Sequence, residues 1–137
     1  MARMVAAGIA LGCLSVLLVA AGLTPSPAGT GTHVQLGLPP CSLMVQAGVP
    51  CPACGMTTSF ALMVRGNILR AVDTQPAGAL LAVVAALTVW VGMYVALTGK
   101  PGHRLLRQIS TASWLWLIGT AVVSGWLWKT ARVLGWI

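Results

Sequence analysis

Three cysteines of this chain lie close enough in sequence to do chemistry together: Cys41, Cys51 and Cys54. Cys51 and Cys54 form a C-x-x-C pair, in which two thiolates can face one metal ion. A structural zinc site needs four ligands, and one such pair supplies two of them. The pattern therefore predicts a metal site with Cys51 and Cys54 as ligands, Cys41 as a third, His33 as a fourth, and zinc or iron as the ion.

The same cysteines allow two other interpretations. A proline follows Cys51 and could open a helix there, and a thiol at a helix N-terminus has a lowered pKa and is reactive, which would suit a redox pair of Cys51 and Cys54. In an oxidising compartment, Cys41 could instead form a disulfide with either of them. No strand pattern of a thioredoxin-like unit surrounds the pair. The metal, redox and disulfide interpretations stay open at this point.

The composition excludes several classes of protein. Asp73 is the only acidic residue of the chain, so paired-carboxylate catalysis and a carboxylate cage for calcium or magnesium are impossible within one chain. The net charge is +7, but the basic residues are scattered near the ends of apolar segments and do not line one face. We therefore expect no nucleic-acid partner and no catalytic residues, and a non-enzymatic role in preference to an enzymatic one.

The hydrophobic segments predict the architecture. Only 7% of the residues are charged, whereas soluble domains carry roughly 25%. Residues 4–23, 77–98 and 111–128 are long and apolar enough for transmembrane helices. The first is longer than the apolar region of a signal peptide, so we predict that it is retained. The predicted fold class is an all-α integral membrane protein, one domain over 1–137 with about three transmembrane helices.

The cysteines lie between the first two predicted spans. Proline and glycine make residues 24–55 a loop, which cannot lie unpaired in lipid. Residues 56–73 form an interfacial or re-entrant helix, weakened by Gly66 and Asn67. Three spans put this loop on the side of the C-terminus. Basic residues divide four to four between the two sides, and the dense basic loop 100–107 decides for the cytoplasm, which leaves the cysteine loop outside.

The stretch from Cys41 to Pro76, which contains GVPCPACGMTTSF, resembles a family of small bacterial membrane proteins of unknown function. The pattern of that family is a leading cysteine, G-x-P-C-P-x-C-G-x-T-R, a short helix, a glycine, and N-P before a transmembrane helix. The chain departs from it at Thr58, usually arginine, and at Gln75, usually asparagine. The resemblance implies a protein of the bacterial inner membrane with a cysteine-loop site, and it implies no activity.

Together these observations favour a small multi-pass accessory or subunit protein. Its CPxCG loop would form a structural metal or thiol knuckle that docks a partner or the membrane surface. The expected partners are the lipid bilayer and other membrane subunits or further copies of the chain. The alternative is a membrane thiol-disulfide oxidoreductase or metal-handling protein that uses Cys51 and Cys54.

Overall fold

The computed structural model describes residues 2–99, 111–133 and 135, and the basic loop predicted over 100–107 lies outside them. All regular secondary structure in the described part is helical, which confirms the predicted all-α class. The helices, in chain order, are α1 (Ala2–Gly22), a 3-10 helix (Thr32–Leu36), α2 (Ser42–Ala47), α3 (Met56–Val64), α4 (Ile68–Thr74), α5 (Pro76–Thr98) and α6 (Thr111–Val133).

Two helices of the described part are long and apolar enough to cross a membrane: Arg3–Gly22 within α1 and Pro76–Thr98, the whole of α5. In each, only 11% of the most apolar window is buried, whereas the core helix of a soluble protein would be mostly buried. Large side chains are exposed on both, among them Leu11 at 65% and Trp90 at 73%. Such a surface suits the hydrocarbon of a bilayer better than water.

The third predicted span, over 111–128, lies within α6, but α6 is not among the helices that are apolar enough to qualify. Its four tryptophans and its serine and threonine residues make it less apolar than α1 and α5. In the described part of the chain, two helices are therefore long and apolar enough to cross a membrane, and the third span stays a prediction.

The helices α1 and α5 pack against each other in antiparallel directions. Gly92 permits the close approach, because a Cβ there would lie 2.8 Å from the Cβ of Ala10. Where α1 begins and α5 ends, the guanidinium of Arg3 donates to the carbonyl oxygen of Ala96 at 2.8 and 3.0 Å and to that of Leu97 at 3.3 Å. These oxygens belong to the last turn of α5. Carbonyl groups in the last turn of a helix have no N–H partner within that helix. Arg3 therefore caps α5.

The helix predicted over 56–73 is divided into α3 and α4. Gly66 has a φ of +77°, its N–H donates to the carbonyl of Met63, and the N–H of Asn67 donates to that of Leu62, both at 3.0 Å. This is the Schellman arrangement, in which glycine ends a helix by adopting the left-handed conformation. The chain can then turn and begin α4, which folds back beside α3.

A small polar-linked core joins α3, α4 and the start of α5. The hydroxyl of Ser59 on α3 is fully buried and donates to the carbonyls of Ala71 and Gln75, each at 3.0 Å. Gly78 lets α5 approach this point, since a Cβ there would lie 2.9 Å from the Cβ of Ser59. The three helices therefore form one compact support directly behind the cysteine loop.

The C-terminal part of α6 lies beside the N-terminus of α5. A Cβ on Gly125 would come within 2.9 Å of the Pro76 ring, so α6 approaches α5 closely at this level. Helix α6 has 23 residues and is about 34 Å long at 1.5 Å per residue. Its C-terminal part contacts the cysteine loop, although 75 residues separate Lys129 from Cys54 in the sequence.

Candidate metal centre

The sulfur atoms of Cys41, Cys51 and Cys54 all lie within 4.8 Å of one another. All three residues are free thiols, Cys54 being buried and the other two partly exposed. Three sulfurs bound to one tetrahedral zinc ion, at about 2.3 Å each, would be roughly 3.8 Å apart. A small movement of the side chains would therefore place all three on a single ion.

The fourth predicted ligand, His33, does not belong to this group of sulfurs. It lies on the 3-10 helix, where its Nε2 is 3.2 Å from the carbonyl oxygen of Pro39, a contact in which the ring nitrogen donates. The remaining cysteine, Cys13, lies apart on α1 as a free thiol. The structure thus brings together three of the four predicted ligands.

A tight turn presents the C-x-x-C pair. The N–H of Cys54 donates to the carbonyl of Cys51 at 2.9 Å, which closes a β-turn with Pro52 at its second position, where the fixed φ of proline is favourable. Gly55 then takes a φ of +88°, and α3 begins at Met56. This backbone reversal leaves both thiols on the same side of the turn.

The three thiols differ in their electrostatic surroundings. The backbone amide of Met44 lowers the pKa of Cys41, with a smaller contribution from the thiol of Cys51. Burial raises the pKa of Cys54 to about 11, and the neighbouring Cys51 adds to this effect. The site therefore combines an outer thiol whose pKa is lowered with a buried inner thiol whose pKa is raised.

Side chains from α6 and from the junction between α4 and α5 hold the loop through alternate carbonyl oxygens, each at 2.9 Å: Trp126 Nε1 donates to Pro50, Gln75 Nε2 to Pro52, and Lys129 Nζ to Cys54. A loop carbonyl that accepts such a bond cannot rotate freely. The backbone that carries Cys51 and Cys54 is consequently held at three of its carbonyl oxygens by α6 and by the junction between α4 and α5.

Lys129 makes the most extensive of these contacts. Its ammonium group also approaches the carbonyl oxygens of Thr74 at 3.3 Å and Gly29 at 3.4 Å, so its three N–H groups meet three segments of the chain. Gly55 has to be a glycine beside it, because a Cβ there would meet the Lys129 Nζ and would lie 2.6 Å from the Gly29 oxygen.

The sequence did not assign the residues that hold the cysteine loop to the site. Trp126 is typical of an aromatic residue at a membrane interface, and Lys129 of a basic residue at the end of a span. The two departures from the family pattern, Thr58 and Gln75, prove to be polar side chains with only 1% of their surface exposed. The hydroxyl of Thr58 lies 2.7 Å from that of Thr32, which ties α3 to the 3-10 helix.

An apolar cavity of about 480 Å³ adjoins the centre. It lies between the second half of α1 and the start of α3, and its lining includes Val16, Val19, Ala53, Thr57 and Phe60. Because Ala53 lies between the two cysteines of the turn, the cavity extends directly to the cysteine loop. Val16 and Val19 are about half exposed, so the cavity also meets the apolar outer surface of α1.

The comparisons with known proteins agree with the position of this site. The model of a family described as "Protein of unknown function (DUF2752)" matches residues 41–89, about a third of the chain. The match starts at Cys41, includes α2, the C-x-x-C turn, α3 and α4, and ends within α5. Helices α1 and α6 lie outside it. No curated protein and no solved structure matches the chain.

Proposed function

We propose that this chain is a small multi-pass membrane accessory or subunit protein in which Cys41, Cys51 and Cys54 bind one thiophilic metal ion, zinc in the first place. The observation that carries this proposal is the convergence of three free thiols within 4.8 Å of one another. Thiolates are ligands that zinc, copper(I) and iron–sulfur clusters prefer, and no carboxylate or histidine of the described residues joins the group.

Three protein ligands leave one position on a tetrahedral ion. Zinc sites with three protein ligands keep the fourth for water or for a group from outside. His33 would have to leave Pro39 to take that position. The fourth position is therefore the place where a side chain of a partner would complete the coordination.

The segment after Cys41 supports a docking role. Helix α2 starts at the next residue and contains no buried side chain, and Leu43 and Val45 are exposed at 52% and 70%. Coordination of Cys41 would fix this apolar helix on the protein surface, ready to contact a partner or the membrane surface. The ion would thus act as a structural knuckle, and its chemistry would be binding.

The arrangement of the long helices supports three spans in a single domain over 1–137. The start of α1 lies at the end of α5, and the end of α6 lies at the start of α5. Residues 111–128 are about 27 Å long as a helix, close to the hydrocarbon thickness of a bilayer. In this topology the cysteine loop and the end of α6 share one side of the bacterial inner membrane, which we assign as the outer side.

The test is elemental analysis combined with thiol counting on detergent-purified protein. We expect about one zinc ion per chain in the wild type, and loss of the ion in each of Cys41→Ser, Cys51→Ser and Cys54→Ser. Cys13→Ser is the matched control and should keep the ion, because Cys13 lies apart from the centre. A wild-type chain without metal and with two thiols blocked as a disulfide would contradict the proposal.

A second candidate function is thiol-disulfide exchange, and the apolar cavity beside Ala53 favours it. Oxidation of two of the three thiols would form one S–S bond and release two electrons and two protons. An apolar quinone in the cavity would accept the two electrons and the two protons and become a quinol. A preparation without metal, in which added quinone converts two thiols to a disulfide, would support this function over the first.

A further inference from the structure

Lys129 brings a positive charge to the cysteine centre. Its ammonium group is partly buried and donates to three carbonyl oxygens, of which that of Cys54 is the nearest at 2.9 Å. These partners are neutral, so they solvate the charge without balancing it. Burial lowers the pKa of Lys129, and among the described residues the thiols of Cys54 and Cys51 act in the opposite direction through their charge.

The charge of the centre depends on the ion that it holds. The thiolate is the form of cysteine that binds metals, so three cysteines contribute three negative charges. With a divalent ion the centre carries one net negative charge, and with trivalent arsenic it carries none. A partly buried charge is costly unless an opposite charge lies near it. The ammonium group of Lys129 therefore matches a divalent ion bound by three thiolates.

Trp126 offers a comparison within the same helix. It lies three residues before Lys129 and donates its indole N–H to the carbonyl of Pro50 at 2.9 Å, on the other side of the C-x-x-C turn. Both residues thus hold the same loop by its carbonyl oxygens. Only Lys129 also supplies a charge, so the two roles can be separated by mutation.

We propose that Lys129 is a positioning residue that balances the net negative charge of a divalent metal ion held by Cys41, Cys51 and Cys54. This inference rests on the proposed function. It gives α6 a role that lies outside the part of the chain matched by the family model. The role is specific to the charge of the ammonium group, beyond its hydrogen bonds to the loop.

The experiment compares zinc with arsenite, which bind the same three thiols but give centres of different net charge. Arsenite, As(OH)₃, reacts with three thiols to give a neutral tris-thiolate and three water molecules. Zinc and arsenite affinities are measured by competition on the full chain in detergent micelles, for the wild type and for Lys129→Gln, Lys129→Arg and Trp126→Phe. Lys129→Gln keeps an N–H donor and removes the charge, while Lys129→Arg keeps both.

We expect Lys129→Gln to weaken zinc binding at least tenfold and arsenite binding less than twofold. Lys129→Arg should stay within about threefold of the wild type for both ions. Trp126→Phe alters the loop without changing its charge. It should weaken the binding of zinc and of arsenite by the same factor. Arsenite binding also reports that the three thiols still lie together in each variant.

Equal losses of zinc and arsenite binding in Lys129→Gln would overturn the charge-balancing role and leave Lys129 a purely structural support. Loss of zinc binding in Lys129→Arg, with arsenite binding kept, would overturn it as well. If the wild type binds zinc through its three cysteines, such results refute the role of Lys129 alone. A wild-type chain that binds neither ion would refute the proposed function, and this role with it.

Discussion

Replacement of Gly55 by alanine tests whether the cysteine loop is held as tightly as the structure indicates. Gly55 follows Cys54 directly and has a φ of +88°. A Cβ at this position would meet the ammonium group of Lys129 and would lie 2.6 Å from the carbonyl oxygen of Gly29 and 3.4 Å from the Thr74 Cγ2. The lysine side chain can move away, but the Gly29 oxygen is backbone and moves only if its loop shifts.

Two costs add in this variant. Alanine in the left-handed region costs about 1–2 kcal/mol, partly offset by about 0.4–1 kcal/mol because the unfolded chain of the variant is less flexible. Crowding of a packed site costs a further 1–3 kcal/mol or so. We therefore expect Gly55→Ala to lower the free energy of unfolding by about 2–4 kcal/mol, and to weaken zinc binding because the Cys54 carbonyl loses its place beside Lys129.

Gly66→Ala is the matched control. Gly66 has a similar φ of +77°, but a Cβ there would meet no atom within 4 Å. This variant should carry only the conformational cost, about 1 kcal/mol, and should bind zinc like the wild type. Both variants are measured by equilibrium unfolding in mixed micelles, followed by tryptophan fluorescence, and by zinc competition. Equal destabilisation of the two variants, with equal zinc affinity, would refute the contact between Gly55 and the Lys129 region.

Two further predictions follow from the same structure. Ser59→Ala removes a buried hydroxyl donor from the carbonyls of Ala71 and Gln75, which keep the backbone N–H groups of Gln75 and Ala79 as partners, so it should cost about 1 kcal/mol in the same unfolding assay. Ser15→Ala, at an exposed site on α1, should cost less than about 0.5 kcal/mol, and similar costs would contradict the buried role of Ser59. In metal-free protein, iodoacetamide should modify Cys41 before Cys54, because the thiolate is the reactive form, the backbone amide of Met44 lowers the pKa of Cys41, and burial raises the pKa of Cys54 to about 11. Peptide mass spectrometry measures the order of modification, and a faster reaction of Cys54 would contradict the difference in environment.

The features that the sequence predicts correctly depend on local information. Length and apolar composition suffice to identify α1 and α5, because a helix that crosses hydrocarbon needs about 20 such residues. Clustering in one loop predicts that Cys41, Cys51 and Cys54 lie close together, since the chain between them is short. The predicted weak point of the helix at Gly66 likewise coincides with the Schellman end of α3, because glycine adopts the left-handed conformation without strain.

The contacts that hold the site could not be predicted, because they join distant parts of the chain. Trp126 and Pro50 are 76 residues apart, and Lys129 and Cys54 are 75 apart. A tryptophan or a lysine near a helix end has an ordinary explanation at a membrane interface, so residue type alone gave no reason to assign it to the site. His33 failed to join the sulfurs because the 3-10 helix directs its ring to a backbone carbonyl, which a sequence pattern cannot show.

The three thiols are held to different degrees, and this difference relates the ion to the docking helix. Cys51 and Cys54 lie on a turn whose carbonyls accept hydrogen bonds from the side chains of Trp126, Gln75 and Lys129, and these bonds hold the turn without a metal. Cys41 precedes α2, a helix of six residues without a buried side chain, which packing alone does not hold. In the proposed function, binding free energy gained at Cys41 would therefore go mainly into fixing the position of α2, because the turn already holds the other two ligands. A metal that binds here would change the exposed apolar surface around Val45 far more than the support behind the loop, as expected of an ion that prepares a docking segment.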